Sequence, residues 1–284
     1  MKQLNIALLC LLLAGTAAVI ASAQVPSAQS AQDAKTLTVN VVYAHSGGVV
    51  RLNGIPINSF GGGRSEGGDT GTLFIGNGVM NYGIDGVNTL KVETKPTGPE
   101  PDASTELVVI GAGGNPEQTQ SAIDHPLFRK KIAGAGTIEY SLTLRNFPHR
   151  LFDEAAPWKG DPQAVLTAVR ALHKAFVARD MKAISSALRP GFESMQDAKE
   201  LGSFDGMMAQ FEQSLKGSKI EELPANLKVE SFYEGRLFRV ADGQGRAPIH
   251  AASIKVGTDG RPEELLELGQ FWCYRNGVWL PLGD

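Results

Sequence analysis

One change of rhythm constrains this chain more than any other feature. At Asp161-Pro162 the apolar pattern passes from a period of two to a period near 3.6. Upstream, Leu37, Val39 and Val41 alternate with Thr38, Asn40 and Val42, as in a strand with one buried and one mostly polar face. Val49–Leu52 runs into Asn53-Gly54, a hairpin-turn dipeptide, and Ile55-Pro56-Ile57 continues beyond it. Gly86–Glu93, Glu106–Ile110 and Thr137–Leu144 follow, the last with Ile138, Tyr140, Leu142 and Leu144 on one face. Strands this short and frequent, among 33 glycines and 15 prolines, predict an all-β antiparallel sandwich over residues 36–146.

Downstream, Asp161 reads as an N-cap with Pro162 at the first helical position. Val165, Val169, Leu172 and Phe176 then form one helix face. Asp180 caps a second helix carrying Met181, Ile184 and Leu188, which Pro190-Gly191 is expected to stop. Ser203 opens a third, with Phe204, Met207, Met208, Phe211 and Leu215 before Gly217. After Asn226, strands are predicted over Leu227–Phe232, Leu237–Ala241, Ile249–Val256 and Leu265–Tyr274, and Asn276-Gly277 turns the chain into Val278–Leu280. Helices followed by an antiparallel meander predict an α+β domain over residues 162–284, its helices packed on a curved antiparallel sheet. The irregular stretch 147–161 is the expected linker.

The first residues read as a secretory signal peptide. Lys2 is the only positive charge, an apolar run extends from Ile6 to Ile20, and Ala21-Ser22-Ala23 places small residues at −3 and −1. Cleavage is expected after Ala23, leaving a flexible leader over 24–35. The run is shorter and softer than the roughly 20 strongly apolar residues of a spanning helix, so no membrane span is expected after cleavage. Leu8-Leu9 before Cys10 is not a lipid-attachment pattern. The expected location is the periplasm or the extracellular space. With Cys10 removed, Cys273 stands alone, so packing rather than a disulfide must hold the fold. Within Phe271-Trp272-Cys273-Tyr274 it reads as a small buried hydrophobe rather than a nucleophile.

Two resemblances add to this reading. Leu52-Asn53-Gly54-Ile55-Pro56-Ile57 and Ile84-Asp85-Gly86-Val87-Asn88-Thr89-Leu90-Lys91-Val92 resemble the hairpin pair of Ig-like and jelly-roll accessory domains, which implies a β-sandwich. No exposed aromatic platform for sugars accompanies it. AVRALHKAFVARDMKAISSAL and the ending FWCYRNGVWLPLG resemble the NTF2-like (SnoaL, cystatin-like) superfamily. That implies a cone between helices and sheet, and in many relatives a homodimer formed through the sheet. It does not imply an activity, because the superfamily holds isomerases, dehydratases, binding domains and interaction domains.

The sharper motifs fail on their chemistry. Val108-Val109-Ile110-Gly111-Ala112-Gly113-Gly114 suggests a dinucleotide turn, but Pro116 holds the third glycine's place and no βαβ pattern surrounds it. Gly61–Gly68 lacks the G-K-[ST] end of a phosphate loop. The histidines at 45, 125, 149, 173 and 250 have no paired-ligand spacing, so neither metal nor cofactor is expected. The chain carries a formal charge of −3 with one basic cluster, Arg129-Lys130-Lys131, which argues against a nucleic-acid partner.

The expected function is that of an exported, non-enzymatic envelope protein binding a protein or a small ligand. The alternative is an enzyme performing acid–base or hydrolytic chemistry on a small apolar substrate in the C-terminal cone. Its candidate catalytic residues are His173, Glu267 and Tyr233. The expected pocket residues are His173, Phe176, Phe211, His250, Trp272 and Tyr274. A periplasmic inhibitor or immunity-type protein is a further alternative.

Overall fold

The computed structural model describes residues 32–33, 37–61, 70–75, 79, 81–99, 101–111, 126–145, 150–193, 203–256 and 262–282. The expected signal peptide and most of both glycine-rich stretches lie outside them. Within the described residues the fold is four mostly antiparallel sheets and three helices.

Sheet formation in the first half follows the alternation of the sequence. The strands are β1 (Gln32–Asp33), β2 (Leu37–Ala44), β3 (Ser46–Leu52), β4 (Ile55–Phe60), β5 (Thr70–Phe74), β6 (Gly86–Pro96), β7 (Ser104–Gly111), β8 (Phe128–Ala133) and β9 (Gly136–Arg145). One sheet runs β1-β9-β6-β3-β4, the other β5-β2-β7-β8. Within the expected leader, Gln32 and Asp33 pair in parallel with Leu144 and Arg145. Val50, Leu52, Leu90, Val92 and Ile138 from the first sheet and Val39, Val41, Leu107 and Val109 from the second are fully buried in one core. Each such side chain contributes about 1.5–3 kcal/mol, which is what the period-two pattern is for. Asn53-Gly54 turns the β3–β4 hairpin with both residues at positive φ, 51° and 84°, as a two-residue primed turn demands.

The second half holds α1 (Val165–Ala178), α2 (Met181–Glu193) and α3 (Phe204–Lys216). Asp161 caps a short 3-10 turn, Pro162–Ala164, that runs into α1, accepting from Gln163 N at 2.9 Å. At the starts of α2 and α3, Asp180 accepts from Ala183 N at 3.0 Å and Ser203 from Gly206 N at 3.1 Å. The α2 helix does not stop at Pro190 but runs on to Glu193. Its extra turn buries Phe192, whose ring packs 5.3 Å from Phe204, and this offsets the hydrogen bond that proline forfeits.

Seven strands follow: β10 (Ser218–Ile220), β11 (Lys228–Phe232), β12 (Leu237–Ala241), β13 (Ile249–Val256), β14 (Pro262–Leu268), β15 (Phe271–Arg275) and β16 (Val278–Pro281). They make sheets β10-β13-β14 and β11-β12-β15-β16. The single strand expected over Leu265–Tyr274 is two. Gly269 takes φ +76°, and the break lets β14 pair with β13 while β15 pairs with β12 and β16.

The inner strands β12 and β15 of the β11-β12-β15-β16 sheet are buried on both faces. Phe238, Val240 and Trp272 turn toward the helices, and Leu237, Phe271 and Cys273 join the core of the first half. Residues 31–284 accordingly form one compact unit. The stretch expected as a linker contributes Leu151, Phe152 and Ala155 to that core. Arg150, itself buried, forks onto both carboxylate oxygens of Asp153 at 3.0 Å and donates to the Gly83 carbonyl. Among the described residues no helix is long and apolar enough to cross a membrane.

Candidate functional site

The space between helices and sheet is filled by side chains. Phe176, Met208, Phe238 and Trp272 are buried there, and Phe211 packs edge-on to Phe176 at 5.8 Å. Trp272 donates its indole N–H to the Gly269 carbonyl at 2.6 Å. Three of the expected pocket residues, Phe176, Phe211 and Trp272, are thus core. Tyr274 packs against Trp158 and Trp279, with centroids 4.4 and 5.1 Å away. With Trp158 and Trp279 themselves 5.4 Å apart, these three rings contact one another.

The candidate acid–base residues occupy separate places. His173, on α1, donates from Nε2 to the Glu221 carbonyl at 2.7 Å. His250, on β13, is buried, with Nε2 2.5 Å from the Ala247 carbonyl and Nδ1 3.8 Å from Glu267. The backbone N–H of Glu221 donates to the His250 carbonyl at 3.0 Å, so the two histidines are linked through the Glu221 main chain. Tyr233 lies instead against the core of the first half, stacked 5.7 Å from Phe152. Burial raises its pKa above the usual tyrosine range, against the opposing hydrogen bond from Asn53. Cys273 is buried, and desolvation pushes its thiol up to about 12, so it is no nucleophile at neutral pH.

Tyr233 lines a cleft of about 410 Å³ with Ile84, Phe152, Asp153, Glu234 and Arg236, and Glu267 opens onto a second one. This second cleft, of about 570 Å³, runs between β4 and the C-terminal half. One wall is Pro56, Ile57, Asn58 and Ser59, consecutive along β4. The other is Arg239, Gln244, Gly245, Arg246, Glu267 and Gln270. The second wall is held by a tight turn. The carboxylate of Asp242 accepts from Gln244 N at 2.7 Å, Arg246 N at 2.9 Å and Arg246 Nε at 2.9 Å. Burial raises the pKa of Asp242, but these bonds outweigh it and leave it below the ordinary value. Arg239 donates to Glu230 at 2.9 Å and to the Gly245 carbonyl at 2.7 Å, and Gln270 reaches the same carbonyl at 3.0 Å. The Nε of Arg239 is buried without an acceptor, an unsatisfied donor in this wall.

Asn58, Ser59, Gln244 and Gln270 had no signal in the sequence beyond being polar residues near turns. Among the described residues no group of three or more His, Cys, Asp or Glu is placed to hold a metal ion. Compared with protein-family models, with curated proteins and with solved structures, the chain finds no match.

Proposed function

We propose that this chain is an exported, non-catalytic binding protein whose ligand lies in the cleft between β4 and the 242–246 turn. In this reading the first half is an Ig-like β-sandwich and the second an NTF2-like domain. The observation that carries it is the contrast between two spaces. The helix–sheet interior holds the packed side chains of Phe176, Met208, Phe211 and Trp272, whereas the β4 cleft is open and lined by amide, hydroxyl, guanidinium and carboxylate groups. Such a surface offers directional hydrogen bonds in a volume suited to a small ligand or a short segment of a larger one.

The test is a thermal-shift screen of the exported chain against amino acids, peptides, sugars and carboxylates. A binder raises Tm by mass action, and the rise should vanish in Ser59→Trp, which places a large ring in the mouth of the cleft. Absence of any binder, or binding indifferent to Ser59→Trp, sinks the reading. Export is checked on the same material: its N-terminus should be Gln24 by mass spectrometry.

A second reading has one observation behind it. Glu267 lines the cleft with His250 behind it at 3.8 Å, a pairing that acid–base chemistry uses. Turnover of a screened compound that is lost in Glu267→Gln with binding retained would move the protein to that class.

A further inference from the structure

Resting on the cleft reading above, we infer that the occupant is an extended peptide segment of a partner protein, added as a strand to the open edge of β4. Among the described residues β4 is the outer strand of its sheet, paired with β3 alone. Its four cleft residues, Pro56–Ser59, span about 13 Å of extended chain at the usual rise. An outer strand presents a row of main-chain donors and acceptors that a second strand can complete.

A bulge sits in the middle of that row. The β3–β4 register passes from Arg51 opposite Pro56 to Val50 opposite Asn58, leaving Ile57 as the extra residue. A bulged residue has its own backbone groups unpaired with the neighbouring strand. Pro56 offers no N–H, as befits an outer strand, and along the paired residues Asn58 and Ser59 the N–H groups alternate between β3 and the open side.

The far wall suits a neutral main chain better than an ion. The Arg239 guanidinium is engaged by Glu230, Arg246 by Asp242, and the Glu267 carboxylate stands 3.8 Å from His250 Nδ1. The side chains of Asn58, Gln244 and Gln270 bring amides, each both donor and acceptor, to the cleft. A peptide strand supplies carbonyls and N–H groups alternately to its two sides. One set meets the edge of β4 and the other meets the amides of Gln244 and Gln270.

The experiment pans a phage-displayed random heptapeptide library on the exported chain, then measures each enriched sequence by titration calorimetry as a series of single N-methylated analogues. Strand addition predicts a two-residue alternation. N-methylation at every second position weakens binding about tenfold or more, and the positions between tolerate it. Ser59→Pro should abolish binding and Ser59→Ala should retain it, with circular dichroism confirming that both fold. No enriched peptide, or an N-methyl series without alternation, overturns the inference. A dimer that Ser59→Pro dissociates in sedimentation overturns it in favour of a second copy of this chain. If a small molecule passes the Ser59→Trp test while no peptide binds, the cleft reading stands and this inference alone fails.

Discussion

Asn53 and Tyr233 are 180 positions apart in the chain, yet the side-chain amide of Asn53 donates to the Tyr233 hydroxyl at 3.0 Å. The same phenol donates onward to the Tyr82 carbonyl, and Asn53 also donates to Asn88 at 2.9 Å. Tyr233 holds this position at φ +50°, a conformation that few non-glycine residues adopt without compensation. A hairpin turn of the first half and a strand connection of the second are therefore one hydrogen-bonded network.

Tyr233→Phe keeps the Phe152 stack and removes the hydroxyl. It leaves the Tyr82 carbonyl without that donor and should cost about 1–2 kcal/mol. Urea unfolding is expected to remain a single transition with a lower midpoint, because the two halves share a core. Two separated transitions would show that the halves fold independently. The folded-state pKa of Tyr233 is raised from its reference value of 10.0. Its ionisation-linked stability is thus fully present below pH 10 and is lost as pH rises through the folded value. Tyr233→Phe should flatten that alkaline loss.

Phe176→Ala tests whether the helix–sheet interior is packing rather than pocket. Phe176 is fully buried, and its ring meets Phe211. Truncation should cost about 3–5 kcal/mol, since the surrounding side chains close only part of the cavity. Calorimetry measures the loss. A change below about 1 kcal/mol would mean that the interior repacks freely and is available to ligands.

Local chemistry made much of the fold legible. Asp161, Asp180 and Ser203 announced three helix starts because a cap is decided by residues two or three positions away. The 53–54 and 276–277 turns were legible for the same reason. Pro190 misled because the burial of Phe192, a tertiary effect, outweighs a local preference. Gly269 misled because apolar residues continue past it while the strand's partners change. The contact between the halves left one readable trace: Leu237-Phe238 and Phe271-Trp272-Cys273 are apolar on successive positions, as strands covered on both faces are. The cleft left none. Its walls come from positions 56–59 and 239–270, and polar residues that meet only after folding carry no periodicity.

Asp242 anchors the far wall of the cleft, so its carboxylate holds the turn that shapes it. Asp242→Ala leaves the N–H groups of Gln244 and Arg246 without this acceptor and should cost about 1–3 kcal/mol. Its folded pKa lies below the reference value of 3.8. The linked stability is present above the unfolded pKa and is lost as pH falls through the folded one. Acid titration of unfolding should therefore show a steeper loss in the native chain than in Asp242→Ala. Equal slopes would remove Asp242 from this role.

Cys273 offers a clock for opening of the sheet between the two cores. Its side chain is fully buried, and its thiol, pushed up to about 12, is protonated at pH 8. Alkylation needs the thiolate and access, so iodoacetamide should reach it only when Leu237, Phe271 and Cys273 separate from the first half. In a chain with Cys10→Ala, labelling followed by mass spectrometry should be far slower than for the same chain in urea. Tyr233→Phe should speed it by about the factor that its stability loss implies, roughly five- to thirtyfold for 1–2 kcal/mol. An unchanged rate would mean that the thiol is exposed by a local motion that leaves the Asn53–Tyr233 network intact.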